Sequence, residues 1–163
     1  MTLLVRHNGG WVILLSFIIA LLLTTMPLSG ALTDWRPAWV AMMVIYWCLV
    51  LPERVGVTIA WLLGLVLDVH TGALLGQNAL GLSAIAYLTL QSRNQIRVFR
   101  PLQQSFVICV YLSLFQFINL WVRGITGIPP QHWLFWAPVA SSMLLWPAFF
   151  YVMHATRRKF NVF

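Results

Sequence analysis

Four stretches of this chain run without a single charged side chain: residues 11–26, 73–90, 102–122 and 133–153. An α-helix rises about 1.5 Å per residue, so about 20 mostly apolar residues (range about 17–25) cross a hydrocarbon core about 30 Å thick. In that core every backbone amide and carbonyl must be paired internally, which leaves helices or closed barrels. The stretches 37–51 and 55–67 are shorter, but polar and aromatic flanks extend each toward a full crossing. The sequence therefore predicts an all-α integral membrane protein. Six transmembrane helices form one bundle, over approximately 10–27, 37–51, 54–70, 74–91, 102–122 and 133–153. Residues 1–163 make a single polytopic domain with almost no soluble mass. With 61% hydrophobic and 8% charged residues, the composition excludes an ordinary soluble domain.

The formal charge of +7 would suit nucleic acid, but its distribution argues otherwise. With a cytoplasmic N-terminus and six crossings, the inside holds Arg6, Arg54, Arg93, Arg97, Arg100, Arg157, Arg158 and Lys159. The outside holds only Arg36 and Arg123. That is the positive-inside asymmetry, with both termini cytoplasmic. Arg6, an apolar run and Ser29-Gly30-Ala31 faintly resemble a signal peptide, yet the run exceeds the usual length of about 7–15 residues, so it reads as an uncleaved first crossing. Pro27, Pro37, Pro52, Pro101 and the pair Pro129-Pro130 fall at boundaries, where a missing N–H is least costly. Pro138 and Pro147 lie within the sixth stretch and predict a kink. Trp11 and Trp47 fall near the inner interface, and Trp35, Trp39, Trp121, Trp133 and Trp136 near the outer one, as aromatic belts do. Trp61 and Trp146 are placed mid-span, against lipid, a neighbouring helix or a partner.

Only three carboxylates are present, Asp34, Glu53 and Asp68. The first two sit beside arginines at Pro-marked boundaries. Asp68 follows a long apolar run, with Gly64, Gly72 and Gly76 at minus four, plus four and plus eight. A carboxylate at a bilayer centre costs roughly 2.5–3.5 kcal/mol on insertion scales, so such groups face an interior or a watery cavity. Small residues on one helical face allow close backbone approach. Residues 55–90 are apolar apart from Asp68, His70, Gln77 and Asn78, which predicts either two crossings broken near 70–78 or a re-entrant pair. With a break there, Gly72 and Gly76 belong to the turn. In the fifth stretch Ser113, Gln116, Asn119 and Arg123 share one helical face. This stripe either makes interhelical hydrogen bonds or borders, with Asp68, a polar cavity open to the outer side. In the second case Arg123 or Arg36 is the expected partner of Asp68.

Catalytic chemistry is not legible. His7, His70, His132 and His154 are scattered, without His–Glu or Cys–His spacing for a metal. No paired carboxylates, Walker loop or activated serine is present, and Cys48 and Cys109 lie inside apolar stretches, without a disulfide framework. No enzyme, cofactor or metal is expected.

Several local phrases resemble the rod shape-determining MreD family of Gram-negative bacteria. They are Trp11-Val12-Ile13, Arg36-Pro37-Ala38-Trp39, Tyr46-Trp47 and Leu51-Pro52-Glu53-Arg54-Val55-Gly56. The Gly64/Asp68/Gly72/Gly76 block, Ile85-Ala86-Tyr87-Leu88, Leu145-Trp146-Pro147 and Arg157-Arg158-Lys159-Phe160 continue the pattern. Residues 102–140 match more loosely. The resemblance implies a non-enzymatic inner-membrane subunit of the cell-elongation complex that binds MreC and works with MreB, RodA and its class-B transpeptidase. It also implies a fold like the six-helix substrate-capture subunits of energy-coupling-factor importers. As a scaffold, the chain would grip MreC through Trp61 and the glycine face near Gly64. As a binding protein, it would hold a lipid headgroup or small molecule in an outer-facing pocket around Asp68. A vitamin-type capture subunit is the cross-class alternative. Membrane lipids are expected partners in every reading, and nucleic acid in none.

Overall fold

In the computed structural model, which describes residues 10–27, 30–127 and 133–160, six α-helices account for most of the chain. They are α1 (Gly10–Thr25), α2 (Trp39–Val50), α3 (Val57–Thr71), α4 (Gln77–Ile96), α5 (Pro101–Ile125) and α6 (Ala137–Lys159). Short 3-10 turns, Gly30–Thr33 and Trp133–Trp136, precede α2 and α6, and no strand occurs among the described residues. Arg6, His7, Ser29, Pro129, Pro130 and His132, used above, lie outside them.

The core is built around α2, where every residue from Val40 to Leu49 is buried. A helix apolar on all sides needs neighbours on all sides. Here α1, α4, α5 and α6 supply them. Tyr46 packs edge-on against Trp47, Phe149 and Phe150, with ring centroids 5.4, 6.3 and 5.7 Å away. Trp47 was expected in an interfacial belt but is wholly buried. Its indole N–H donates to Ser16 Oγ at 2.9 Å, which satisfies the ring's one polar group and lets it leave the interface.

The interior is unusually polar and the exterior unusually apolar. Ser16, Asp68, Gln77, Thr89, Gln104, Ser105, Asn119 and Ser142 are buried. Trp11, Leu22, Leu75, Phe106, Trp121 and Leu144 are each more than 60% exposed. On α1, Ile13, Ser16, Phe17 and Ala20 form the inward stripe, and the remaining faces are leucine and isoleucine turned outward.

Element boundaries differ from the sequence reading for local reasons. With 12 residues, α2 spans about 18 Å, because Pro37 and Ala38 stay outside it and Ala38 N–H donates to Ser142 Oγ at 2.9 Å. The fourth helix begins at Gln77 rather than 74, where Asp68 collects its first amides, and runs on to Ile96. Pro138 is not a kink residue. It is the second residue of α6, where its absent N–H has no intrahelical acceptor to lose, whereas Pro147 does lie in the interior. Among the described residues, α5 and the segment Trp133–Lys159 are long and apolar enough to cross a membrane, while α1, α2 and α3 are shorter apolar helices.

Candidate functional site

The sequence offers Asp68 only an arginine as partner, and the fold gives it three backbone amides. Its Oδ1 accepts from Asn78 N–H at 2.8 Å, and its Oδ2 accepts from Gly76 N–H at 2.8 Å and Ala79 N–H at 3.4 Å. These amides open α4, and the first amides of any helix lack intrahelical acceptors. The same end carries the positive pole of the helix dipole. Asp68 thus caps α4 from α3, fully buried, and its hydrogen-bond donors among the described residues are backbone amides rather than an arginine. The expected pairing with Arg36 or Arg123 is corrected by this geometry, which supplies the positive charge from backbone dipoles.

Gly64 makes the capping reachable. A Cβ built there would sit 2.2 Å from Ala79 Cα and 2.5 Å from Ala79 N, so only glycine lets α4's first turn approach α3 this closely. One helical turn later, the Asp68 carboxylate meets the exposed amides. Gly64 is therefore buried between helices of its own chain rather than offered to a partner, which corrects the reading of its face as partner surface. Gly72 terminates α3 at φ 63°, its N–H bonding to the Asp68 carbonyl, and Gly76 precedes α4 at φ 99°. Both lie in the turn, and both occupy the left-handed region where a Cβ is strained.

Above this turn lies a cavity of about 510 Å³. Its lining comes from Thr24, Trp39, Thr71, Gln77, Arg123 and Pro138, among others, so one end of each of the six helices gathers there. Seven of the nine described basic residues (Arg54, Arg93, Arg97, Arg100, Arg157, Arg158 and Lys159) lie at the opposite ends of these helices. Asp68 itself does not line the cavity. It fixes the wall, because Gly72, Leu74 and Asn78 of the capped turn do. From the α5 stripe, Gln116, Asn119 and Arg123 reach the cavity, and Ser113 does not.

The polar side chains of the wall are mutually tied. Gln77 Nε2 donates to Asn119 Oδ1 at 2.8 Å, and Asn119 Nδ2 donates to the Phe115 carbonyl at 3.0 Å. Gln116 Nε2 donates to the Phe135 carbonyl. Arg36 donates from its two terminal nitrogens to the carbonyls of Thr24 and Met26, at the end of α1, where a cation also meets the negative pole of the dipole. Its Nε is buried without an acceptor. Arg123 lies over the Phe135 ring, 5.5 Å from its centroid.

Trp61 stands apart from this cluster, 47% exposed on the outer face of α3. On another flank of α3, that helix and α1 frame a separate apolar groove lined by Leu14, Ile18, Ile59, Leu62 and Val66. Sequence reasoning missed Gln104 and Gly81. Gln104 donates to the carbonyls of Ile96 and Phe99 at 3.1 and 3.2 Å and accepts from the buried Trp146 indole at 3.4 Å. At Gly81 a Cβ would meet the Phe115 ring at 2.6 Å. A glycine in the middle of a helix, about 1 kcal/mol worse than alanine, was the available signal. Among the described residues no three of His, Cys, Asp and Glu gather where they could hold a metal.

Comparison with known proteins bears on the whole chain. The family model for rod shape-determining protein MreD matches residues 5–156. The rod shape-determining protein MreD of Haemophilus influenzae is 30% identical over 150 residues, covering 91% of this chain and 93% of that protein. No solved structure matches.

Proposed function

The chain belongs to the MreD family of rod shape-determining proteins, and on that premise we propose that it is a non-enzymatic subunit of the cell-elongation complex in the bacterial inner membrane. The observation that carries this reading is the family match across nearly the full length, which attaches rod-shape determination to the entire bundle. The match lends no support to the vitamin-capture alternative.

The surface supports a bilayer setting. Contiguous exposed apolar patches larger than a few hundred Å² are rare on soluble monomers. Here leucine, isoleucine, phenylalanine and tryptophan face outward along every helix except the enclosed α2. In lipid there is no hydrophobic drive between helices, so packing and interhelical hydrogen bonds hold a bundle together. The buried polar ties and the Gly64 contact suit that requirement. All six helices cross, with the basic ends and both termini cytoplasmic, so the cavity opens to the outer side. A likeness to the capture subunits of energy-coupling-factor importers remains an architectural expectation.

Within the complex the chain acts as a scaffold. It binds MreC through the apolar groove between α1 and α3, with the exposed Trp61 on another face of α3 as a second contact, and so keeps MreB, RodA and its transpeptidase in register. The test is genetic and biochemical together. Depleting the protein from its own bacterium should convert rods to spheres, with rescue by the wild-type gene, and MreC should co-purify with the tagged chain from solubilised membranes. Unchanged rods on depletion would sink the elongation role; rescue without MreC in the eluate would sink the scaffold mechanism alone.

A further inference from the structure

The cavity at the charge-poor end carries chemistry that scaffolding does not use. Two arginines line it, Arg36 and Arg123, and no carboxylate does among the described residues. Asp68 is committed to α4's amides beneath the wall, Asp34 is exposed outside the lining, and Glu53 lies at the opposite end of the bundle. Both arginines are held in place with donors to spare. A guanidinium has five N–H donors. Arg36 spends one donor of each terminal nitrogen on the carbonyls of Thr24 and Met26 at the end of α1, which fixes its plane, and its buried Nε–H has no acceptor among the described residues. Arg123 rests on the Phe135 face, and no side-chain hydrogen bond engages its guanidinium among the described residues.

Two oriented guanidiniums without a neutralising carboxylate match a phosphate, whose oxygens accept from planar N–H pairs. The volume lies within the roughly 300–1,000 Å³ typical of small-molecule sites. Its depth indicates the kind of phosphate. Trp35, Trp121, Trp133 and Trp136 are exposed at the same end, and Trp39 lines the cavity itself. Tryptophan rings of this kind mark headgroup level in a bilayer.

We infer that this cavity binds a phosphate ester, with Arg36 and Arg123 as its ligands and Phe115, Phe135 and Trp39 walling the remainder of the molecule. The depth argument rests on the membrane orientation proposed above. A lipid headgroup and a soluble phosphate share this chemistry, and the test separates them. Delipidated protein in detergent is titrated with dioctanoyl phosphatidic acid, dioctanoylglycerol or inorganic phosphate, and bound species are read by native mass spectrometry. The phosphatidic acid should bind at one per chain, and dioctanoylglycerol should not. Arg123→Gln, an exposed position, should weaken binding about tenfold or more, as expected on losing a charge-assisted hydrogen bond, while Arg97→Gln at the opposite end should not. Inorganic phosphate that displaces the lipid at similar concentration would support the site with a soluble ligand. Equal loss in both variants, or equal binding of dioctanoylglycerol, would overturn the proposal. Wild-type rescue of rod shape is scored separately, so rods without phosphate binding would reject the cavity site and leave the elongation role standing.

Discussion

Asp68 shows how a lone carboxylate is kept in an apolar bundle. Its two oxygens take three amides from the first turn of α4, so removing it strands donors that have no other acceptor. A buried donor left unsatisfied costs about 1–3 kcal/mol. Asp68→Ala should therefore lower the thermal unfolding temperature in detergent clearly, and should abolish rescue of rod shape in depleted cells even where the protein still inserts. Asp68→Asn, which keeps one acceptor oxygen but turns an NH₂ toward an amide, should fall between the two. An alanine variant with wild-type unfolding and normal rods would reject the capping role. Loss of MreC binding in Gly64→Leu would follow from separating α3 and α4, because the added atoms collide with Ala79 backbone rather than with a partner.

Among the elements, the α3–α4 hairpin and the Gln104 staple determine how neighbouring helices lock. Gln104, in the first turn of α5, holds the carbonyl of Ile96 at the end of α4, that of Phe99 in the connection, and the indole of Trp146 on α6. One side chain thus joins three helices. Gln104→Leu bares all three groups and should destabilise by at least about 1–3 kcal/mol, whereas Trp146→Phe forfeits one neutral hydrogen bond worth about 0.5–1.5 kcal/mol plus some packing. Paired unfolding curves in the same detergent check the order; a larger loss from Trp146→Phe would place the energy in ring packing instead. The short α2 belongs to the same scale. Its residues from Val40 to Leu49 are buried all round, so its length answers to its neighbours rather than to the thickness of a bilayer.

For the whole molecule, the gathering of six helix ends around the cavity and of seven basic residues at the other end predicts one orientation. With Cys48 and Cys109 replaced by alanine, a cysteine at Thr126 should react with a membrane-impermeant maleimide in intact spheroplasts. A cysteine at Arg97 should react only after permeabilisation. The reverse pattern would invert the topology and turn the cavity toward the cytoplasm.

How far the sequence reaches is set by the range of the forces it encodes. Charge-free windows, proline punctuation and the asymmetry of arginines are local or cumulative properties. They specify helices, their approximate places and the family without any coordinates. The sequence placed a break near 70–78, because glycines among polar residues declare a turn, and the helices leave 72–76 between them. Pairing was not legible, since it depends on which helix end lies beside which side chain. Asp68 could be read as unusual from its neighbours in sequence, but its charge is balanced by backbone dipoles, which every residue type carries and no residue letter records. On the outer side arginines were the fixed cations the sequence offered, and the fold used Arg36 on the end of α1 and set Arg123 on Phe135. The sequence by itself determined an apolar helical chain of this family with one anomalous carboxylate. Only the tertiary structure decided that the carboxylate closes a helix junction and that the arginines face a cavity, because both depend on distances between residues far apart in the chain.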